Sequence, residues 1–180
     1  MNAPTNRDTL LRCAATLLRQ KGYDGVGLAE ILSASGLPKG SLYYHFPGGK
    51  RELATAATLC TGAAIQRLID RAFADADSFA TGAAALARAI AALIPPGGPV
   101  QACPVASILQ ASGQEPALRD AARQVMNDWA ACLAAHATRL GHAAPQDAAD
   151  LLLMQMEGAW LLALAEQSPR PLERLAALKT

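Results

Sequence analysis

Apolar residues recur at three- and four-residue intervals through most of the 180-residue chain, and no alternating run of β-branched residues interrupts them. This periodicity predicts an all-α fold. The first helix opens with Thr5 and Asp8, a pair spaced for a capping box. Leu10, Leu11, Ala14, Leu17 and Leu18 form its apolar stripe, and Gly22 stops it. A second, short helix fits Leu28 to Ser35, with Ile31 inward and Gly36 at its end. A third takes Pro38 into its first turn, where no donated backbone bond is needed, and runs to about Tyr44. Phe46-Pro47-Gly48-Gly49 then breaks it. Short helices joined by a tight glycine-containing turn predict a helix-turn-helix module, with Leu28, Ile31, Leu37, Leu42 and Phe46 as its core.

Beyond Gly49 the predicted helices lengthen. One runs from about Lys50 to Ala74, with Leu53, Cys60, Ala64 and Leu68 on one face. Asp77 or Ser78 caps another that reaches Leu93, and Pro95 to Pro99 is a loop. A short helix is expected near Val105–Ala111. A longer one spans Pro116–Leu140 and aligns Leu118, Ala122, Val125, Trp129 and Leu133. The last large helix covers about Pro145 to Gln167, and Ser168-Pro169-Arg170-Pro171 separates it from a short C-terminal helix. The break at Phe46 to Gly49 divides the chain into two expected domains, residues 1–49 and 50–180.

Composition narrows the options. Apolar residues make up 52% of the chain, enough for a sizeable core, and the net charge of +1 excludes a uniformly basic coat. Residues 1–53 carry +3 and the remainder −2, which predicts a basic head on a mildly acidic body. Four scattered cysteines without a Cys-x-x-Cys pair, and no leader in the first ten residues, predict a reduced, cytoplasmic setting. The most apolar stretch, Leu151 to Ala165, includes Gln155 and Glu157 and is expected to be too short to span a bilayer.

The densest chemistry lies in Gly36 to Lys50. Tyr43, Tyr44, His45 and Phe46 are consecutive there, in a chain with three Tyr, three Phe and two Trp. A helix from Pro38 to Tyr44 spans roughly 10 Å, about the width of the major groove. Lys39, Gly40, Ser41, Tyr43 and Tyr44 would face base edges or phosphates, with Gly40 allowing close approach. Lys50 would bring a positive charge and helix-terminal N–H groups to another phosphate. The structural alternative puts Phe46 and one tyrosine in the core and uses His45 as a cap, but it leaves Lys39, Ser41 and Lys50 without a role.

The stretch from Gly22 to Leu53 resembles the N-terminal domain of tetracycline-repressor-like (TetR/AcrR) transcriptional regulators. The likeness lies in Gly22-Tyr23, Ile31, Gly36, Lys39-Gly40, Leu42-Tyr43, His45-Phe46, Lys50 and Leu53. Phe46-Pro47-Gly48-Gly49-Lys50 and Cys103 to Ser107 are similar to the LmrA/YxaF-like branch. Val26-Gly27, Leu32 and Pro38 depart from the family, which usually has a capping Thr or Ser, an Ala and a capping Ser at those places. The resemblance implies a homodimeric, all-helical repressor that binds a palindromic double-stranded DNA operator and is released by a small effector. His45 would join the DNA-facing residues. The implied effector cavity would be walled by Cys103, Met126, Trp129, Leu133, Met156 and Trp160, residues that suit a neutral, hydrophobic molecule. Ordinary core packing is the alternative for each.

The helix at 145–167 has more apolar surface than one face needs. Leu151, Leu152 and Leu162, with Gly158, Ala159 and Ala163 allowing close approach, suit a two-fold interface, the alternative being a helix central to its own domain. Other chemistries fit less well. A phosphate loop ending at Lys50 would need glycine at Tyr44 and Ser or Thr at Arg51. Cys132, His136 and His142 have metal-like spacing, but a chance helical surface explains them as simply. Cys103 beside Pro104 is a possible thiol sensor, with buried packing as the simpler account. No nucleophile elbow occurs, so an enzyme is not expected, and no cofactor or membrane segment is expected either. A ligand-sequestering helical protein and an interaction adaptor are the competing functions.

Overall fold

The computed structural model describes residues 4–110 and 115–178, and the expected helical residue Ala111 lies outside them. The described residues are helical, with no strand. In order the helices are α1 (Asn6–Lys21), α2 (Leu28–Ser35), α3 (Lys39–His45), α4 (Gly49–Phe73), α5 (Phe79–Ala91), α6 (Ala106–Gln110), α7 (Pro116–Arg139), α8 (Pro145–Glu166) and α9 (Arg170–Ala177). The chain clusters into two compact units that do not follow a boundary at residue 50. One holds residues up to 62 with 104–125, and the other 63–103 with 126 onward.

In the first unit, local chemistry sets the helix ends. Asp8 N–H donates to Thr5 Oγ1 and Thr5 N–H to Asp8 Oδ2, each at 3.2 Å, closing the capping box. Gly36 turns the chain at φ 66° between α2 and α3, a left-handed conformation that glycine adopts without a Cβ clash. Pro38 stands one residue before α3 rather than in its first turn. Its carbonyl accepts from Ser41 N–H at 2.9 Å, and its ring offers no side-chain cap. Leu10, Ala14, Leu18, Val26, Ile31, Leu42, Phe46 and Leu53 are buried together, with Ile108 and Leu118 from α6 and α7. The inward face of α4 is not the expected one. Leu53, Ala54, Ala57 and Thr58 are buried, whereas Cys60 and Ala64 are exposed and Leu68 is half-buried.

The second unit packs α9 against α5 and α8 and shares a core of Ile69, Phe73, Leu86, Trp129, Leu133, Met156, Trp160 and Leu172. Two contacts fix its geometry. A Cβ on Gly82 would lie 2.2 Å from the Phe73 ring, so α5 meets α4 at the closest possible approach. Arg139 Nη2 donates to the Phe73 carbonyl at 2.6 Å, tying the last turn of α7 to the end of α4. The loop after α5 is held by Trp160 Nε1–H donating to the Gln101 carbonyl at 2.9 Å and by Val100 N–H donating to Gln167 Oε1 at 3.1 Å. At 22 residues, α8 exceeds the short stretch read from sequence. By length and composition it is the one described helix that could cross a membrane, and a third of its most apolar window is buried within the chain.

Candidate nucleic-acid interface

Helix α3 has one anchored face and one open face. Leu42 and, just past the helix, Phe46 are essentially inaccessible, so the helix cannot rotate without emptying the core. The 3.6-residue period then turns Lys39, Gly40, Tyr43 and Tyr44 outward. Tyr44 is 82% exposed and Tyr43 42%, far more than rings of this size usually are in a folded domain. Lys39 Nζ lies 5.7 Å from the Tyr43 ring centroid, a cation–π contact that holds both along the helix. The half-buried His45 ring meets Tyr44 edge-on at 4.9 Å, and so limits the ring to few orientations. Ser41 is half-buried beside them. A Cβ on Gly40 would meet nothing within 4 Å, so the open face is flat at that point.

The turn into α4 places the remaining lysine. Gly49, at φ 66°, donates its N–H to the Phe46 carbonyl at 2.9 Å, and Lys50 follows immediately. Lys50 Nζ sits 4.1 Å from the centroid of Tyr23, a buried ring. Burial, reinforced by the hydrogen-bonded Glu115 carboxylate, raises the Tyr23 hydroxyl above its ordinary pKa of 10.0, so that hydroxyl stays neutral. Tyr23 thus acts as a shelf for Lys50, a role invisible in the sequence except as an aromatic after Gly22. The N–H groups expected to be open here are not all so: Gly48 N–H donates to Glu52 Oε2 at 2.7 Å.

These features are an anchored short helix, an aromatic and basic outer face, and a lysine at the next helix start. The profile described as bacterial regulatory proteins of the tetR family matches residues 10–57. The profile of the LmrA/YxaF-like transcriptional regulator C-terminal domain matches residues 80–178, more than half of the chain. The chain belongs to the LmrA/YxaF-like branch of the tetR family. It is 28% identical to the HTH-type transcriptional regulator LmrA of Bacillus subtilis over 98% of this chain and 96% of that protein. It is 29% identical to YxaF of the same organism over 95% and 91%. The crystal structure of a regulatory protein TetR from Rhodobacter sphaeroides is similar at a TM-score of 0.82 and 27% identity, covering 94% of each chain. Escherichia coli NemR in its reduced form shares the fold at a TM-score of 0.83, covering 96% and 93%. The LmrA/YxaF-like chain is a DNA-binding transcriptional regulator, matched over nearly its whole length.

In this tetR-family regulator the second unit gathers four of the expected cavity residues. Trp129, Leu133, Met156 and Trp160 line one cavity with Ile65, Ile69, Leu86, Ile90, Leu153 and Glu157. Its volume is about 20 Å³, room for little more than one water. Met126 is half-buried and outside this lining, as is Cys103, whose thiol donates to the lining Glu157 Oε1 at 3.2 Å. Glu157 was not among the expected residues, because a lone acid in an apolar run looks like a surface position. Burial holds its carboxyl above the ordinary value of 4.5, while the Cys103 bond opposes that shift.

Two further expectations change in this LmrA/YxaF-like structure. On α8, Leu152, Ala159 and Ala163 are at most 9% exposed and pack in the unit's own core, while Ala159 also lines a surface groove with Gly158 and Leu162. The period of α8 puts them with Met156 and Trp160, while Leu151, Gly158 and Leu162 lie outside with Met154 and Leu161. The metal-like spacing also resolves differently. Cys132 and His136 meet Asp70 of α4, whereas His142 packs its ring against Phe79 at 5.6 Å and accepts from Ala144 N–H. Burial, then Asp70, pushes the Cys132 thiol up to about 12, and the His136 bond lowers the Asp70 carboxyl.

Proposed function

We propose that this protein is a ligand-responsive, dimeric transcriptional repressor that binds a near-palindromic operator in the bacterial cytoplasm. The observation that carries the reading is the open face of α3, where the exposed Tyr44 stands with Lys39, Gly40, Ser41 and Tyr43 above a buried Leu42. That face docks in a major groove, with the tyrosine rings against thymine methyls and hydroxyl groups on phosphates or base edges. His45 orients Tyr44, and Lys50 meets a flanking phosphate from its Tyr23 shelf.

The dimer forms through the outer face of α8. Leu151, Met154, Leu161 and Leu162 are each more than half exposed there, a contiguous apolar surface that a single chain leaves wet. Gly158 and Leu162 continue into a groove of about 370 Å³ bounded by Pro171, Leu175 and Leu178 at α9, room for side chains of a symmetry mate. Two recognition helices then read half-sites about 34–36 Å apart.

The effector is a small hydrophobic molecule entering between Trp129, Leu133, Met156 and Trp160. The present cavity is far below the roughly 300 Å³ that a drug-sized ligand occupies, so entry must displace helices. That displacement is what shifts the population to a spacing of α3 helices unsuited to DNA. The half-buried Glu157 carboxyl adds one polar partner and favours an effector with a hydrogen-bond donor. A gel shift on the DNA upstream of its own and neighbouring genes tests the reading. A sequence-specific, salt-sensitive shift is expected; its absence at modest salt refutes repression through this face.

A further inference from the structure

Asp70, Cys132 and His136 form a cluster of metal-ligating side chains that DNA recognition and effector entry leave unused. Cys132 and His136 are four residues apart on α7 and therefore share a face, and Asp70 meets them from α4. Their donor atoms all lie within 4.8 Å of one another. Asp70 Oδ1 is 3.3 Å from Cys132 Sγ and 2.9 Å from His136 Nε2. Bonds of 2.0–2.3 Å to a tetrahedral zinc ion separate its ligand atoms by about 3.3–3.8 Å, so modest side-chain adjustment opens the triangle enough to seat the ion.

We propose that Asp70, Cys132 and His136 form a three-ligand site for a borderline divalent cation, zinc in particular, with water in the fourth position. A thiolate and a carboxylate neutralise the ion, and one imidazole completes a sulfur, nitrogen and oxygen set suited to zinc. As the metal–sulfur bond forms, the Cys132 thiol proton leaves to the buffer. His136 is pre-oriented: its ring stacks on Phe73 at 5.0 Å and 20°. Phe73 is in turn fixed by the Arg139 bond to its carbonyl. The Asp70 side chain is 55% exposed, which leaves a path for the ion and a place for the water. The bound ion cross-links α4 to α7, the helices that carry Ile69, Trp129 and Leu133 to the cavity wall.

The test is a cobalt titration of the full-length, reduced protein followed by displacement with zinc. One equivalent per chain should give a thiolate-to-cobalt charge-transfer band and tetrahedral visible bands, and zinc should bleach both. Cys132→Ser should abolish the charge-transfer band, while Cys60→Ser, at an exposed cysteine, should leave it intact. Asp70→Asn and His136→Gln should each weaken cobalt binding at least ~100-fold, since loss of outer-shell partners alone costs 10–100-fold. Circular dichroism melts of the apo variants separate loss of the site from loss of the fold. A missing band in folded wild-type protein, or a band that survives Cys132→Ser, overturns the site.

Discussion

Replacing Lys50 with alanine isolates one proposed phosphate contact from the rest of the proposed DNA-facing surface. Lys50 is half-buried with its ammonium 4.1 Å from the centroid of the buried Tyr23 ring, and losing that single cation–π contact should cost the fold only about 1 kcal/mol. In a two-fold complex the substitution removes two contacts. Each neutralised phosphate contributes about −0.9 to the slope of log affinity against log salt, so the slope should become shallower by about 1.8. The same counterion release is worth about 1 kcal/mol per contact at 0.15 M salt, or roughly 30-fold in Kd for the dimer. Fluorescence anisotropy with labelled operator across about 50–300 mM KCl measures both quantities. Operator and scrambled DNA should lose affinity equally, because phosphates carry no sequence. Lys50→Arg should retain the slope. A Lys50→Ala protein with normal melting and an unchanged slope would refute the phosphate assignment and leave the Tyr23 contact as packing.

Tyr44→Ala and Ser41→Ala should each cost about 1–3 kcal/mol on operator and much less on scrambled DNA, read by competition binding; equal losses would make them backbone contacts. Gly40→Ala should raise thermal stability, by up to about 1 kcal/mol for a helical glycine, yet weaken operator binding, because the free space around Gly40 is the surface DNA would fill. A variant binding as tightly as the parent would place DNA elsewhere. Leu162→Glu should convert the dimer to folded monomer by sedimentation equilibrium, as Leu162 is 56% exposed within its own chain; an intact dimer would move the interface off α8. Glu157 is protonated more readily when folded than its ordinary 4.5, so stability should fall as pH rises from there to its raised folded value. Glu157→Gln should flatten this decline and be the more stable protein above it, a result that chemical denaturation at several pH values can deny.

Legibility followed the range of the interactions. Helix starts and stops depend on neighbours three or four residues away, so Thr5 with Asp8 and Gly36 could be read directly, and the α5 cap was narrowed to Asp77 or Ser78, of which Ser78 caps. The inner face of α4 could not. Alanine, cysteine and threonine surround that helix, and so weak a contrast let Cys60, Ala64 and Leu68 pass for a buried stripe. On α8 the consecutive Leu151, Leu152 and Leu153 are apolar on every side, and only packing against the rest of the unit distinguishes the buried Leu152 from the exposed Leu151. The outer face of α3 was legible because Leu42 and Phe46 fix its phase. The Tyr23 shelf, the Glu157 carboxyl and the meeting of Asp70 with Cys132 depend on contacts between distant positions, which periodicity does not encode.

The missing side chain at Gly82 has a mechanical consequence. With no clearance between α5 and Phe73, and with Arg139 clasping the end of α4, that side of the second unit is stiff. An effector of the proposed kind would push on the other side, where α8 contributes Leu153, Met156 and Trp160 to the cavity wall. The opposite face of α8 bears Leu151, Leu161 and Leu162. Swelling at the cavity would then be delivered as pressure on the surface proposed to meet the second subunit. One glycine, far along the chain from the proposed DNA-facing residues, would set the direction in which the proposed repressor yields.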